Sequence, residues 1–338
     1  MADYINIHGN NIPIRASDPS NPVIGEIWYN STSSLLKGRI FQADSFSTIA
    51  SRATTTRGSG QAGTVTAGLV TAGFTGSFPI IRTTEEWNGS AWSGAPDTGS
   101  DHYVASMSGI QTAAIIAGGY KTIPHSGGMN GQTEEYDGSN WTSGPTLNSP
   151  RYGMGNVGGT SAAVAFGGEV PPGSQTAATE DWDGSNWTSS NNMNTAANYR
   201  GSMGNTTPAA YAVGGFLGPP GRTANVEKYN GTCWSAVNSL NVAVTSQAAW
   251  GSPTSGLSVG GNRGNPAPSA SDVAESWDGT CFTVSAATLS TPRSNAWNGF
   301  GSSGSDGIVA GGYNGTANTN VCEEFSGAAA STKTISSS

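Results

Sequence analysis

Ala178-Thr179-Glu180-Asp181-Trp182-Asp183-Gly184-Ser185-Asn186-Trp187 is the stretch whose reading decides the fold. Asp-Gly between two short runs supplies the positive φ that a hairpin turn needs, and Trp182 and Trp187 suit facing strands on either side of it. The stretch therefore reads as a tight β-hairpin.

Close relatives recur along the chain: Glu85 to Trp92, Glu134 to Trp141, Glu227 to Trp234 and Glu275 to Phe282, with a degenerate last copy, Glu323-Glu324-Phe325-Ser326-Gly327. The first aromatics, Trp87, Tyr136, Trp182, Tyr229, Trp277 and Phe325, follow one another at steps of 49, 46, 47, 48 and 48 residues. A constant period in this range means a repeat architecture, in which each unit buries its apolar face against its neighbours.

Composition sets the bounds. Charged residues are 11% of the 338, while glycine alone fills 49 positions, a mixture that would suggest disorder if the aromatics did not recur at fixed spacing. A formal net charge of -8 without any cluster of Lys and Arg argues against nucleic acid as a partner. The start, Met1-Ala2-Asp3-Tyr4, lacks the cationic and apolar regions of a signal peptide, and runs such as Ala113 to Ala117 are too short to span a bilayer. No membrane insertion is expected. Cys233 and Cys281 occupy the same place in successive repeats, so a blade width should separate them. Together with Cys322 they are expected to be free, partly buried thiols. No CxxC and no paired histidine suggests a zinc site, and no metal or cofactor is expected.

Residues 1–24 carry no repeat, and Ser17-Asp18-Pro19-Ser20-Asn21-Pro22 reads as extended chain and turn, so this part is expected to be an arm for attachment. Residues 25–45 read as a hairpin. From about residue 46, each repeat holds a Gly- and Ser-rich strand, then a short apolar strand ending in a small pair: Ala72-Gly73, Gly118-Gly119, Gly167-Gly168, Gly214-Gly215, Gly260-Gly261 and Gly311-Gly312. A variable loop and the Glu-x-aromatic hairpin follow, giving four strands per repeat and six repeats.

A diglycine closing the second strand, followed by paired aromatics across the third and fourth, resembles kelch repeats over about residues 46–338. The turn between the aromatics, as in Tyr136-Asp137-Gly138-Ser139-Asn140-Trp141, is shorter than the usual kelch pattern. The expected fold is all-β: a six-bladed kelch-like β-propeller over residues 25–338. The sixth copy has Ala330 five residues after Phe325, where others have Trp or Phe. Phe41 to Arg52 spans 11 residues, as does Phe282 to Arg293, so Leu36 to Gln42 is expected to close the ring there, with Phe41 in the place of the missing aromatic.

Among site candidates, one glutamate recurs two residues before each aromatic: Glu85, Glu134, Glu180, Glu227, Glu275 and Glu323. Residues two apart on a strand share a face, so each carboxylate should lie beside a buried ring and need partners. One reading makes them structural acceptors of backbone N–H groups from a neighbouring turn near the diglycine. The other makes them a ring of acids for cations. The loops after the small pairs vary most and carry Phe74, Tyr120, His125, Phe216, Arg222, Arg263 and Tyr313, a face suited to sugar or peptide. The alternative is that these residues merely cap the blades. His8, His102 and His125 are too scattered to assemble a triad or metal cluster, so no catalytic residue is assigned. The resemblance to kelch repeats keeps an oxidase-like enzyme open, because that family includes copper oxidases.

The stretch Ala16 to Pro22 with Gly25-Glu26-Ile27-Trp28-Tyr29-Asn30, followed by the Glu-Glu-Tyr-Asp-Gly-Ser-Asn-Trp repeats, resembles structural proteins of marine tailed bacteriophages. That resemblance implies a non-enzymatic virion component, a tail fibre, appendage or decoration subunit assembled in host cytoplasm and carried outside on the particle. It would be held by the arm to other virion proteins, form homo-oligomers in the particle, and contact host surface glycan through the loops. A purely architectural role is the remaining alternative.

Overall fold

Each of the five complete Glu-x-aromatic copies is a hairpin, and the acid or amide that opens its turn also holds it. Trp182 pairs with Trp187 across the strands, with ring centroids 5.4 Å apart. Asp183 Oδ1 accepts the backbone N–H groups of Ser185 and Asn186, both at 2.8 Å, while Gly184 takes φ +92. Asn88, Asp137, Asn230 and Asp278 repeat this arrangement, so Asn and Asp interchange freely at the position.

The computed structural model describes residues 12–121, 128–219, 221–263 and 269–335, leaving aside the side chains of residues 330 and 331. The chain divides into two units, one of Met1–Ser45 with Gly327–Ser338 and one of Phe46–Ser326.

The larger unit is all-β and propeller-like. Among the described residues its only helical turn is Thr207–Ala209. Among the described residues it holds six sheets of four or five strands and one two-stranded sheet, Glu169–Val170 with Ser174–Gln175; in five of the six the main strands run in chain order from inside to outside, such as Ser106–Ile110, Ala113–Ala117, Thr133–Tyr136 and Trp141–Gly144. The second strands are buried on both faces, as their unbroken apolar runs require: Ala114, Ile115, Ile116 and Ala117 are fully buried. One sheet carries an extra short strand, Asn262–Arg263. The six innermost strands touch in cyclic order, with Phe300–Ser303 meeting Gly60–Thr64 to complete the cycle.

A circuit of main-chain hydrogen bonds runs round that cycle. Gly58 N–H donates to Asn295 O (2.9 Å), Asn295 to Ser246 (2.9 Å), Ser246 to Tyr199 (3.0 Å), Tyr199 to Gly153 (2.6 Å), Gly153 to Val104 (3.0 Å) and Val104 back to Gly58 (2.9 Å). All six residues are left-handed, with φ between 55 and 67, including the β-branched Val104. Each non-glycine member carries about 1–2 kcal/mol of backbone strain, which persists because the circuit over-determines the geometry.

Seams between sheets are tied by side chains. Trp141 Nε1 donates to Thr84 Oγ1 of the preceding sheet (3.1 Å), Trp187 to Thr133 (2.8 Å) and Trp234 to Thr179 (2.9 Å). Where the preceding sheet offers Val226 instead of threonine, the outer aromatic is Phe282, which has no N–H to satisfy, and the two pack in one core cluster. Four of the recurrent glutamates directly follow these threonines and valine, Glu275 and Glu323 follow Ala274 and Cys322, and all six are buried. Each accepts main-chain N–H from the linker leading into its own sheet: Ala53 for Glu85, Gly99 and Ser100 for Glu134, Asn148 and Ser149 for Glu180, Asn194 and Thr195 for Glu227, Asn241 for Glu275 and Ser290 for Glu323. These donors lie at the outer-to-inner linker rather than at the diglycine, where the sequence reading placed them.

A buried basic side chain completes every seam: Arg52 for Glu85, His102 for Glu134, Arg151 for Glu180, Arg200 for Glu227, Arg263 for Glu275 and Arg293 for Glu323. At His102, Nδ1 lies 2.9 Å from Gly118 O and Nε2 3.1 Å from Glu134 Oε1. The Glu134 carboxyl, although burial pushes it up, is held below its ordinary value by His102 and the two N–H groups. The diglycines act at the same seams. Gly119 N–H donates to Arg151 O of the next sheet (2.9 Å), and a Cβ on Gly118 would meet that oxygen at 2.5 Å.

The last sheet is completed by Ser45–Ile49, which lies beside Asn318–Ser326, and Phe46 packs on Phe325 with ring centroids 5.0 Å apart. Phe46, rather than Phe41, therefore fills the place of the missing aromatic. Phe41 is 57% exposed and lies in the smaller unit, where Leu35–Gln42 pairs with Ala329–Thr334. That unit is one sheet, with Ile14–Arg15 parallel to Ile27–Asn30 and the latter antiparallel to Leu35–Gln42. Residues 1–11 of the stretch read as an arm lie outside the described residues, and the rest of it contacts this sheet: Asp18 accepts from Trp28 Nε1 (3.1 Å), Asn30 Nδ2 (2.7 Å) and Lys37 Nζ (2.7 Å). Cys233 and Cys281 are exposed rather than half-buried, because each falls on a hairpin turn; Cys322 is buried and all three are free.

Three outcomes follow from these contacts. Phe46→Ala should lower unfolding free energy by about 2 kcal/mol in urea melts, less than a fully buried ring would cost, whereas Phe41→Ala should change it by no more than ~0.5 kcal/mol. Glu180→Gln should cost about 3 kcal/mol by stranding the buried Arg151, and adding Arg151→Met should recover part of that loss in the same melts. Lys37, then Asn30 and Trp28, hold the Asp18 carboxyl at about 2. Its folded value lies below its unfolded one, so its contribution is present above about pH 4 and lost as pH falls toward 2. Hydrogen exchange at the Trp28 indole should accelerate across that window and lose the dependence in Asp18→Asn.

Candidate functional site

The backbone circuit also places side chains at one end of the cycle of inner strands. Two residues beyond the left-handed position stand Gly60, Ser106, Gly155, Gly201 and Ala248 in five sheets, and Trp297 in the sixth. Five small residues leave room for one indole, and Trp297 is 4% exposed against Tyr199, ring centroids 4.8 Å apart. An aromatic arc continues from there: Tyr199 to Tyr152 (5.8 Å), Tyr152 to Tyr120 (4.1 Å), Tyr120 to Tyr103 (6.2 Å), Tyr103 to Phe74 (5.3 Å). Arg57 caps its end, with Cζ 5.2 Å from the Phe74 ring and 5.1 Å from the Tyr313 ring.

Above this floor opens a basin of about 980 Å³, bordered by Arg57, Tyr103, Tyr199, Phe216, Arg222, Trp297, Tyr313, Asn262, Asn295 and Asn314 among others. Its chemistry is aromatic faces, amides, hydroxyls and guanidinium groups. Burial pushes the Tyr199 phenol well above its ordinary range, and Tyr120 in the same direction. Tyr152 is raised too, by burial first, then by Tyr199 and by its hydrogen bond to Glu169. At neutral pH these phenols are protonated donors rather than tyrosinates, which suits recognition more than nucleophilic chemistry.

Of the loop residues singled out by sequence, Phe216, Arg222 and Tyr313 line the basin. Phe74 and Tyr120 are buried in the arc beneath it. Arg263 is withdrawn from the loop face: its guanidinium lies 2.8 Å from Glu275 Oε1, in the seam where the fifth sheet has Val244 at the position that His102, Arg151 and Arg293 fill elsewhere. His125 and His8 lie outside the described residues. Arg57, Tyr103, Tyr199 and Trp297 escaped the sequence reading. Their signal was an aromatic or cation beside the entry to the inner strand, as in His102-Tyr103, Arg151-Tyr152 and Asn198-Tyr199.

At the other end of the inner strands lies a second cavity of about 300 Å³, lined by Gln61, Ser108, Asn156, Ser202, Asn298 and a succession of glycines. Asn298 follows Trp297 directly, so one dipeptide contributes to both spaces. Among the described residues no group of three or more His, Cys, Asp or Glu side chains could hold a metal ion. The six recurrent carboxylates are engaged in the seams, so the arrangement favours their structural reading over a ring for cations.

Compared by sequence, the chain matches no protein-family model and no curated protein. Compared by structure, 263 solved chains match, so the fold by itself selects no activity. One is described as "Structure of YjhT", which superposes with a TM-score of 0.66 at 11% identity over 84% of this chain and 99% of its own. At that identity the likeness extends to the fold, and the chain is a propeller-like all-β protein whose function has to be argued from its own residues.

Proposed function

We propose that this chain is a non-enzymatic structural protein of a tailed-phage virion, a fibre, appendage or decoration subunit on a six-bladed kelch-type propeller, which contacts host surface glycan through the basin. The observation that carries the binding reading is the basin itself, a concave space of about 980 Å³ with Tyr103, Tyr199, Trp297, Phe216 and Tyr313 beside Asn262, Asn295 and Asn314. Sugar rings present apolar faces that stack on aromatic rings and hydroxyls that pair with amides, and this lining offers both. The virion assignment rests on the resemblance of the N-terminal stretch and repeats to marine phage structural proteins. The smaller unit, with Ile14–Arg15 and Asp18 held on its sheet, is the part that would join other virion proteins and further copies of the chain.

The test has two readouts. Particles labelled on this chain should show it on the tail or capsid surface. The purified chain should bind polysaccharide extracted from host cells, and Tyr313→Ala and Phe216→Ala should each weaken that binding by about tenfold. Unlabelled particles would end the virion assignment; binding untouched by both substitutions would end the basin's role.

A further inference from the structure

We infer that the basin is selective for an anionic sugar, one bearing an oxyanion, carboxylate or sulfate, on a ring that stacks against its aromatic floor. This rests on the glycan reading above and specifies its ligand. Of the 22 acidic and 14 basic residues, four of each fall outside Phe46–Ser326, so the larger unit carries the whole formal net charge of -8. Against that background the basin is lined by two arginines, Arg57 and Arg222, and by no described aspartate or glutamate. The second cavity, on the same inner strands, has no charged residue in its lining. Positive charge is therefore placed at one end and not a general property of the interior.

Arg57 is built for the role. Its guanidinium is fixed over Phe74 and Tyr313, and among the described residues no carboxylate lies within ion-pair distance of it, in contrast to the arginines of the seams. A planar fork held in place by two rings presents paired donors to a carboxylate or sulfate with little further ordering. Glu169, the acid of the aromatic floor, accepts from Asn198 Nδ2 (2.7 Å) and from Tyr152, and forms no ion pair with Arg57. The Trp297 ring lines the basin, and its buried Nε1 has no hydrogen-bond partner among the described residues.

The experiment is titration calorimetry of the full chain with four probes: trigalacturonate, a sulfated galactose trisaccharide, the uncharged galactose trisaccharide, and inorganic sulfate. At least one anionic trisaccharide should bind about tenfold or more tightly than the uncharged one at low salt, with the advantage shrinking at high salt. Comparison of the two anionic arms assigns carboxylate or sulfate. Arg57→Ala should abolish the advantage, and Arg57→Lys, which keeps charge without the fork, should retain only part of it. Equal binding of charged and uncharged trisaccharides, or an advantage that survives Arg57→Ala in a variant with wild-type melting, overturns the inference and leaves glycan binding standing. Binding of inorganic sulfate with neither sugar bound removes the glycan reading, and no binding by any probe removes both.

Discussion

One buried carboxylate per repeat determines how the sheets meet. Each sits two residues from a core aromatic and reaches main-chain N–H groups of its own entry linker, so it fixes where the chain crosses from the outside of one sheet to the inside of the next. A carboxylate removed from water in this way requires a partner, and all six have a basic one, arginine in five seams and histidine in one. Such pairs add little net stability compared with an apolar substitute, but they penalise any misalignment that would leave one charge alone. In a chain whose sheets present similar small-residue strands to one another, that penalty against slipped packing matters more than attraction.

The carboxylates act locally, whereas the left-handed circuit from Gly58 through Asn295 and back acts on the whole cycle of inner strands. Every member donates to one neighbour and accepts from the other, so the circuit is complete only when the sheet made from both ends of the larger unit is in place. That sheet depends on Ser45–Ile49 lying beside Asn318–Ser326. Strain at Val104, Tyr199, Ser246 and Asn295 is sustained by closure, and closure by the pairing of chain ends.

Hairpins, the all-β architecture and the six glutamates were legible because they rest on local rules: positive φ at the turn glycine, period-2 alternation, and a polar residue beside a buried ring. The cations were not, because they reach the same carboxylate from different places. His102, Arg151 and Arg293 stand two residues before the left-handed position, Arg200 one after it, Arg52 six before it, and Arg263 beyond the next small pair. The displaced Arg52 also explains why Phe41 was expected to close the ring. From the outer aromatic to the position two before the left-handed residue is 10 residues in Trp92–His102, Trp141–Arg151, Trp187–Ala197 and Trp234–Val244. It is also 10 from Phe46 to Thr56. Anchoring on Arg52, and on the fifth repeat whose outer strand carries register shifts, moved the match by five residues.

The basin was half visible for a related reason. Repeats advertise what they share, and a site on a repeat scaffold arises where they differ. Five small residues and one tryptophan at a single equivalent position give an axis that is filled asymmetrically, so that identical sheets surround an interior with a floor. Arg57 differs in the same way: the first seam takes its cation from Arg52, which leaves a second arginine of that linker free to stack on Phe74 and Tyr313 instead of entering a carboxylate pair. In the fifth sheet the exchange runs in the opposite direction, since Arg263 leaves the loop face to satisfy Glu275. The demand for one cation per seam thus decides which arginines the basin can use, and the scaffold's most uniform requirement produces its least symmetric surface.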